Sequence, residues 1–249
     1  MTNSLYDPLG LVIELDIQGR HLVQRASQYA WDARLPDDLC VLTSKWLALV
    51  KKAVLETKVP RKIDCKKLLV YVDASQSTWG VDIRTPSGTR VCAKGGLFPQ
   101  PKRDKWTIPR KELLSLIYGR DLLINVWKTV DESMRDQCEA LILSDSQINC
   151  YRVHKEDQAT DMKAWERKTI QSMRGFMMNH SVVLRHVATT WNSADGITRG
   201  TFPNKVSEDM VKATAAWWKT DDFTLEVNWL TKVSSVMLRK RPLMRLRIP

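Results

Sequence analysis

The sequence is poor in the residues that build disulfide frameworks and zinc sites. Its 249 residues include five cysteines and four histidines, and the cysteines are scattered, odd in number and without a CxxC pair. This spacing argues against a zinc centre and a disulfide-stapled fold, and it favours buried free thiols. Internal repeats and low-complexity tracts are also absent.

Long apolar runs and a secretory leader are missing as well. No hydrophobic run approaches the length of a membrane span. Residues 1–8 have neither the basic nor the apolar part of a signal peptide. We therefore expect an intracellular protein without a membrane partner. With 43% hydrophobic residues, the chain can build one large or two small domains.

Acidic residues are the scarcer charged class. There are 28 of them against 39 lysines and arginines, which gives a net charge of +11. This excess suggests an anionic partner, most commonly nucleic acid, although a solvated basic surface gives the same composition. The last 13 residues carry five cations and no anion. They form either a solvated tail or a phosphate-binding arm.

Periodicity and turn signals divide the chain into three parts. Residues 1–66 are helical in pattern, with Leu39, Leu42, Trp46, Leu49 and Ala53 at the spacing of a packed helix face. Residues 67–200 predict the order β-β-β-α-β-α-β, and residues 201–249 predict a helix and the basic tail. The predicted strands cover 67–73, 79–84, 90–94, 140–145 and 181–187, with a loop at 95–105 and helices at 110–127 and 208–218.

Four carboxylates lie at comparable places in these elements. Asp73, Asp145 and Asp195 end or follow predicted strands, and Glu112 lies in the first turn of a predicted helix, on its apolar side. Four acids from four elements suggest one cluster, which is stable only if it is protonated or holds cations. Oxygen ligands without cysteine or histidine favour Mg²⁺ or Mn²⁺ over zinc. For Glu112 alone, a favourable interaction with the helix dipole is the alternative.

The strand order and these four acids resemble the ribonuclease H fold and its four-acid DEDD metal site. Seven short motifs are similar, in the expected order, to the block that follows the polymerase in Bel/Pao-type LTR retrotransposon Pol polyproteins. They are residues 6–11, 31–39, 72–75, 93–94, 107–113, 144–146 and 185–200. The resemblance implies an α/β fold with a five-stranded mixed sheet flanked by helices, an N-terminal helical segment and a C-terminal helical tail.

The resemblance also implies a division of the chain. Residues 1–66 would be the tail of a reverse transcriptase, its connection to the ribonuclease H module. Residues 67–200 would be the ribonuclease H-like domain, and residues 201–249 the helical and basic tail. The sequence contains no polymerase palm and no integrase zinc motif. We therefore expect a piece of a polyprotein whose partner is the polymerase domain.

The implied activity is hydrolysis of the RNA strand of an RNA/DNA hybrid by two Mg²⁺ ions, with Mn²⁺ as a substitute. Two such ions lie roughly 4 Å apart. Asp73 would bridge both ions, Glu112 and Asp145 would complete one site, and Asp195 would hold the other. Ser144 and Asn192 would support these ligands. Contacts to 2′-hydroxyl groups would select RNA.

Several basic residues are candidate phosphate contacts. They are Lys94, Arg110 and Lys111, with Lys102, Arg103 and Lys105 of the predicted loop. The loop residues fit a solvated basic face equally well. His186 lies on a predicted strand, which favours a structural role over proton transfer. Asp82 departs from the family pattern, because an apolar strand residue is usual there.

Two other functions compete with the nuclease. An aspartic peptidase needs Asp-Thr/Ser-Gly triplets, and residues 73–75 and 145–147 lack the glycine. A decayed transposon remnant would keep the fold and bind nucleic acid without cleaving it. Hybrid cleavage, hybrid binding and peptide cleavage distinguish the three hypotheses.

Overall fold

A five-stranded mixed sheet forms the centre of the protein. The computed structural model describes residues 6–57, 62–155 and 162–216. The strands are β1 (Lys67–Ala74), β2 (Thr78–Arg84), β3 (Arg90–Leu97), β4 (Glu139–Ser144) and β5 (Ser181–His186). Their order is β3-β2-β1-β4-β5. The β1–β2 and β2–β3 pairs are antiparallel, and the β1–β4 and β4–β5 pairs are parallel.

Eight helices accompany the sheet in the part of the chain that the structure describes. They are α1 (Ile13–Ala26), α2 (Asp37–Glu56), α3 (Gln100–Lys105), α4 (Ile108–Trp127), α5 (Gln147–His154), α6 (Ala164–Asn179), α7 (Ser193–Arg199) and α8 (Glu208–Ala216). The predicted fold class, a five-stranded mixed sheet flanked by helices, is confirmed. None of the helices described here is long and apolar enough to cross a bilayer.

Strand β1 lies in the middle of the sheet and is buried on both faces. Leu68, Val70 and Val72 pack toward α4 and α6 in the larger core. Leu69 and Tyr71 face the opposite side, with α7 and α8. Burial on both faces explains why the strand is nearly continuously apolar instead of alternating with polar residues. The sheet therefore presents the carboxyl end of β1 between two helical layers.

Helix α7 lies unusually close to the sheet because two glycines leave room for it. A Cβ added at Gly80 would lie 2.9 Å from Cβ of Ile197, and one at Gly95 would lie 2.8 Å from its Cγ2. Both distances are shorter than carbon atoms tolerate. The small residues of β2 and β3 therefore allow α7 to pack directly over the strand ends.

Helix α1 packs against this layer, and α2 packs against α1. Ile13 and Ile17 of α1 contact Ala93 and Ile197 in one apolar cluster. Trp46 of α2 donates its indole N–H to the carbonyl of Leu15 at 2.7 Å. The described part of the N-terminal segment is thus joined to the sheet through α1.

The predicted apolar face of α2 is only partly correct. Leu39, Trp46 and Ala53 are buried, as expected for core residues. Leu42 and Leu49 are about two-fifths exposed. These two residues lie beside the buried stripe, since α2 rests on a single helix and buries a narrow face.

The predicted loop at 95–105 is wrong at both ends. Strand β3 continues to Leu97, and α3 forms at Gln100–Lys105 after Pro99. Pro101 lies in the first turn of α3, where its missing N–H costs nothing. The predicted C-terminal helix is present as α8, and the basic tail lies outside the described residues.

The five cysteines are free thiols, as predicted, but they are not all buried. Cys92, Cys138 and Cys150 are buried, Cys65 is half-buried and Cys40 is exposed. Burial raises the pKa of Cys92 and of Cys150 to about 12. Both therefore remain neutral, small apolar side chains of the core.

Candidate metal centre

Three of the four predicted acids meet at the carboxyl ends of the central strands. In the parallel β1–β4 pair, Val72 lies opposite Ser144, so the next residues, Asp73 near the end of β1 and Asp145 just after β4, lie side by side. Glu112 comes from the first turns of α4, which packs on β1. One carboxylate oxygen from each of Asp73, Glu112 and Asp145 lies within 4.8 Å of the other two.

Burial and mutual repulsion make this cluster costly to ionise. Asp73 and Glu112 are 5% and 7% exposed. Burial first, and then the charges of Asp73 and Asp145, raise the pKa of Glu112 to about 9. Burial and the charge of Asp145 raise the pKa of Asp73 to about 7. One buried oxygen of Glu112, Oε2, has no hydrogen-bond partner. The arrangement needs protons or a cation for neutrality.

Hydrogen bonds from α7 and its N-cap hold two of the acids. The Thr198 hydroxyl donates to Oδ2 of Asp73. The Asn192 amide donates to the carbonyl of Val72 at 3.0 Å and to Oδ1 of Asp145 at 3.2 Å. Asn192 also accepts from the N–H of Ala194, which caps α7. One side chain thus joins the end of β1, Asp145 and the start of α7.

Ser144 is the other predicted supporting residue. It affects the Asp145 carboxylate indirectly, through the backbone that follows. It is fully buried. Its hydroxyl accepts from the N–H of Ser146 at 3.2 Å. This contact shapes the turn that carries Asp145, whereas Asn192 touches the carboxylate itself.

Asp195 lies beside the three-acid cluster and is not part of its 4.8 Å group. It is in the first turn of α7. Its Oδ1 accepts from Nε of Arg199 at 2.6 Å, one helical turn further on. Its charge contributes to the raised pKa of Asp73, after burial and Asp145, so the two groups share one electrostatic environment. The structure therefore separates a group of three acids from a fourth acid that already has a cationic neighbour.

The three predicted phosphate contacts have different environments. Lys94 is exposed on β3. The Arg110 guanidinium stacks over the rings of Trp106, at 4.0 Å, and Trp165, at 5.0 Å. Lys111 is fully buried, and its ammonium donates to the carbonyls of Gln76 at 2.7 Å and Arg103 at 2.9 Å.

The structure gives Lys111 an environment other than the expected one. Its ammonium donates to two backbone carbonyls and so joins α3 and the β1–β2 turn to α4, next to Glu112. Its role as a phosphate contact stays a prediction. Of the α3 residues, Lys102 lies with its Nζ 5.1 Å from the Trp106 ring. His186 lies on β5, half-buried, and burial lowers its pKa.

A buried ion-pair network missed by sequence reasoning positions α7. Asp82 is fully buried and accepts from Nε of Arg84 and Nε of Arg90, both at 2.9 Å. Arg90 also donates to Glu14 of α1 at 2.6 Å. The Ser193 hydroxyl, at the start of α7, donates to Asp82. Burial alone would raise the pKa of Asp82, but the two arginines hold it well below its usual range.

The only signal for this network in the sequence was Asp82 itself, a charged residue in a predicted buried strand. Thr198 was missed as well. A hydroxyl three residues after Asp195 on the same helix is a signal for it, because residues three apart lie on one face.

The sheet order, the two helical layers and the acids at the strand ends define a ribonuclease H-like α/β protein. Residues 1–146 match the family model of the Pao retrotransposon-like RNaseH-like domain. The chain belongs to this family, and the resemblance seen in its motifs is confirmed. The match includes Asp73, Glu112 and Asp145 and ends before α7.

The solved structures that the chain matches include RNase H1 proteins and a foamy viral protease-reverse transcriptase. LC11-RNase H1 in complex with RNA/DNA hybrid is 16% identical, with a TM-score of 0.39, over 53% of this chain and 91% of that one. RNase H1 from the archaeon Halobacterium salinarum NRC-1 is 17% identical, with a TM-score of 0.42, over 53% and 93%. The foamy viral protease-reverse transcriptase in complex with dsDNA is 10% identical, with a TM-score of 0.48, over 76% and 40%. No curated protein matches the sequence.

Proposed function

We propose that this protein is a metal-dependent endoribonuclease of the ribonuclease H type, which hydrolyses the RNA strand of RNA/DNA hybrids. The observation that carries the proposal is the meeting of Asp73, Glu112 and Asp145 within 4.8 Å. Two of these acids are buried, and one oxygen of Glu112 is buried without a partner. A fold that needed only stability would not keep such a cluster.

The donor set fits hard divalent cations. All the candidate ligands are carboxylate oxygens, which suit Mg²⁺ and, in its place, Mn²⁺. Asp73, Glu112 and Asp145 would hold one ion, and Asp73 with Asp195 would hold a second. When bound, such ions supply an activated water and charge stabilisation in phosphodiester hydrolysis.

The chain's own residues orient the carboxylate ligands and set their pKa values. Thr198 and Asn192 fix the carboxylates of Asp73 and Asp145 through the hydrogen bonds described above. Asp73 and Glu112, whose pKa values are raised, release protons when a cation binds, so metal affinity increases with pH. Lys111 holds α3 against α4 next to Glu112.

Hybrid binding would use the basic residues that remain accessible. Lys94 is exposed, and the partly exposed Arg110 has its guanidinium over the rings of Trp106 and Trp165. Arginine stacked on aromatic rings is pre-organised for a phosphate. The 2′-hydroxyl groups of the RNA strand would provide the selection against DNA.

The division of the chain that the motifs suggest belongs to the same proposal. Residues 1–66 would be the tail of a reverse transcriptase, residues 67–200 the ribonuclease H-like domain, and residues 201–249 a helical and basic tail. In the intact Pol polyprotein the polymerase domain would be the partner of this piece. The family match supports that setting.

The test is cleavage of a hybrid labelled on its RNA strand, in Mg²⁺, in Mn²⁺ and with chelator. We expect metal-dependent cleavage that Asp145→Asn abolishes. Asp209→Asn is the control, because this carboxylate is 91% exposed on α8. Hybrid binding without cleavage in either metal would favour a decayed remnant. Cleavage of peptides but not of hybrid would favour an aspartic peptidase.

A further inference from the structure

The fourth acid differs from the other three in having a protein cation within hydrogen-bond distance. Asp195 and Arg199 lie one turn apart on α7 and form an ion pair of 2.6 Å. The side chain of Asp195 is 21% exposed and that of Arg199 is 63% exposed. The Arg199 guanidinium thus reaches back to the acid cluster from the solvent side.

Arg199 interacts electrostatically with Asp195, Asp73 and Asp145. Its hydrogen bond to Asp195 and the charge of Asp195 raise its pKa, and the charges of Asp73 and Asp145 add to this effect. A guanidinium stays protonated under all ordinary conditions. Arg199 is therefore a permanent positive charge placed where a second cation would bind.

We propose that Arg199 is an internal counterion that competes with the second divalent ion for Asp195. The proposal rests on the metal site of the proposed function. The first ion would bind to Asp73, Glu112 and Asp145 without displacing a protein cation. The second would bind only when Arg199 leaves Asp195. The site would then fill in two steps of unequal affinity.

The geometry makes this exchange physically reasonable. Arg199 is mostly exposed and has a long side chain, so it can move into solvent without unfolding α7. Exposed ion pairs contribute up to about 1 kcal/mol, which corresponds to roughly a two- to fivefold effect on a competing equilibrium. Arg199 therefore neutralises Asp195 in the metal-free state, and a divalent ion can still displace it.

Mn²⁺ binding, measured by electron paramagnetic resonance and by calorimetry, tests this idea without reference to cleavage. We expect two Mn²⁺ ions per wild-type chain, with the second bound more weakly. Arg199→Gln should tighten the second step roughly two- to fivefold and leave the first unchanged. Arg199→Lys, which keeps a cation, should resemble the wild type.

A matched control exists on α1. Arg20 and Asp16 form the same i,i+4 ion pair at 2.8 Å on a different helix, with Arg20 49% exposed. Arg20→Gln should leave both binding steps unchanged. Asp195→Asn should abolish the second step and keep the first.

The outcomes separate this inference from the proposed function. If the first ion binds but Arg199→Gln leaves the second step unchanged or weaker, the counterion role is refuted and the metal site stands. Two unaltered steps in Asp195→Asn would also refute it. If the wild type binds no Mn²⁺, the proposed function is refuted together with the inference.

Discussion

Glu112 is expected to destabilise the metal-free protein, and its replacement by glutamine should relieve the cost. Burial raises the pKa of Glu112 in the folded protein from 4.5 to about 9. The folded state therefore keeps a proton that the unfolded chain has lost over this interval. The cost that Glu112 imposes on folding is absent below about pH 4.5 and grows as the pH rises toward 9.

The free-energy cost that Glu112 imposes on folding follows from the interval between the working pH and 4.5. At pH 8 the cost is about 5 kcal/mol, at about 1.4 kcal/mol for each pH unit above 4.5. Glutamine removes the ionisation cost but leaves a buried amide to be satisfied, which costs about 1–3 kcal/mol. We therefore expect Glu112→Gln to be more stable than the wild type by about 2–4 kcal/mol at pH 8 in chelator.

Urea unfolding followed by tryptophan fluorescence measures this difference. The gain from Glu112→Gln should shrink as the pH is lowered and vanish between about pH 5 and 7, where the ionisation cost equals the cost of the buried amide, and it should become a loss near pH 4.5. Adding Mn²⁺ should stabilise the wild type and reverse the order, since the variant has lost a metal ligand. Glu132→Gln is the control, because Glu132 is exposed and distant from the acids in the fold.

Two results would refute this argument. One is a Glu112→Gln variant less stable than the wild type at pH 8 without metal. The other is a gain that does not depend on pH, which would mean that ionisation of Glu112 is not its source. Either result would remove the electrostatic basis of the proposed metal centre.

Two further predictions concern packing and buried charge. Arg90→Gln should destabilise the protein by about 3–5 kcal/mol in urea unfolding, because it leaves Asp82 and Glu14 buried with fewer cationic partners. Gly119→Ala and Gly175→Ala should have opposite signs, although both are in helices. A Cβ at Gly119 would lie 2.5 Å from a β1 valine methyl and should cost about 1–3 kcal/mol, whereas Gly175 faces open space and should gain up to about 1 kcal/mol.

The centre of the fold could be predicted from local patterns because its signals are local. The apolar run before Asp73 predicted a buried strand, and the structure places it in the middle of the sheet. The chain motifs predicted the family and the five-stranded mixed sheet. The spacing of acids at strand ends indicated a cluster, and three of the four meet in it.

The environment of Lys111 could not be predicted, because it depends on helix α3, which forms where the sequence predicted a loop. The prolines and cations at 99–105 predicted a loop, but α3 forms there and presents the carbonyl of Arg103 to the Lys111 ammonium. A lysine next to a candidate metal ligand suggests a phosphate contact when its spatial neighbours are unknown. With α3 present, the same lysine is buried and connects α4 to α3 through its hydrogen bonds.

The Asp82 network could not be predicted from local patterns, because its members are far apart in the sequence. Glu14 precedes Arg90 by 76 residues in the sequence and lies in hydrogen-bond contact with it. Asp82 then joins Arg90 to the Ser193 hydroxyl, two residues before Asp195. A buried charge is stable only when its partners are present, so removing one residue of the network leaves the others buried without a counterion. Helix α1 therefore helps to set the position of α7, and through it the distance between the fourth acid and the other three.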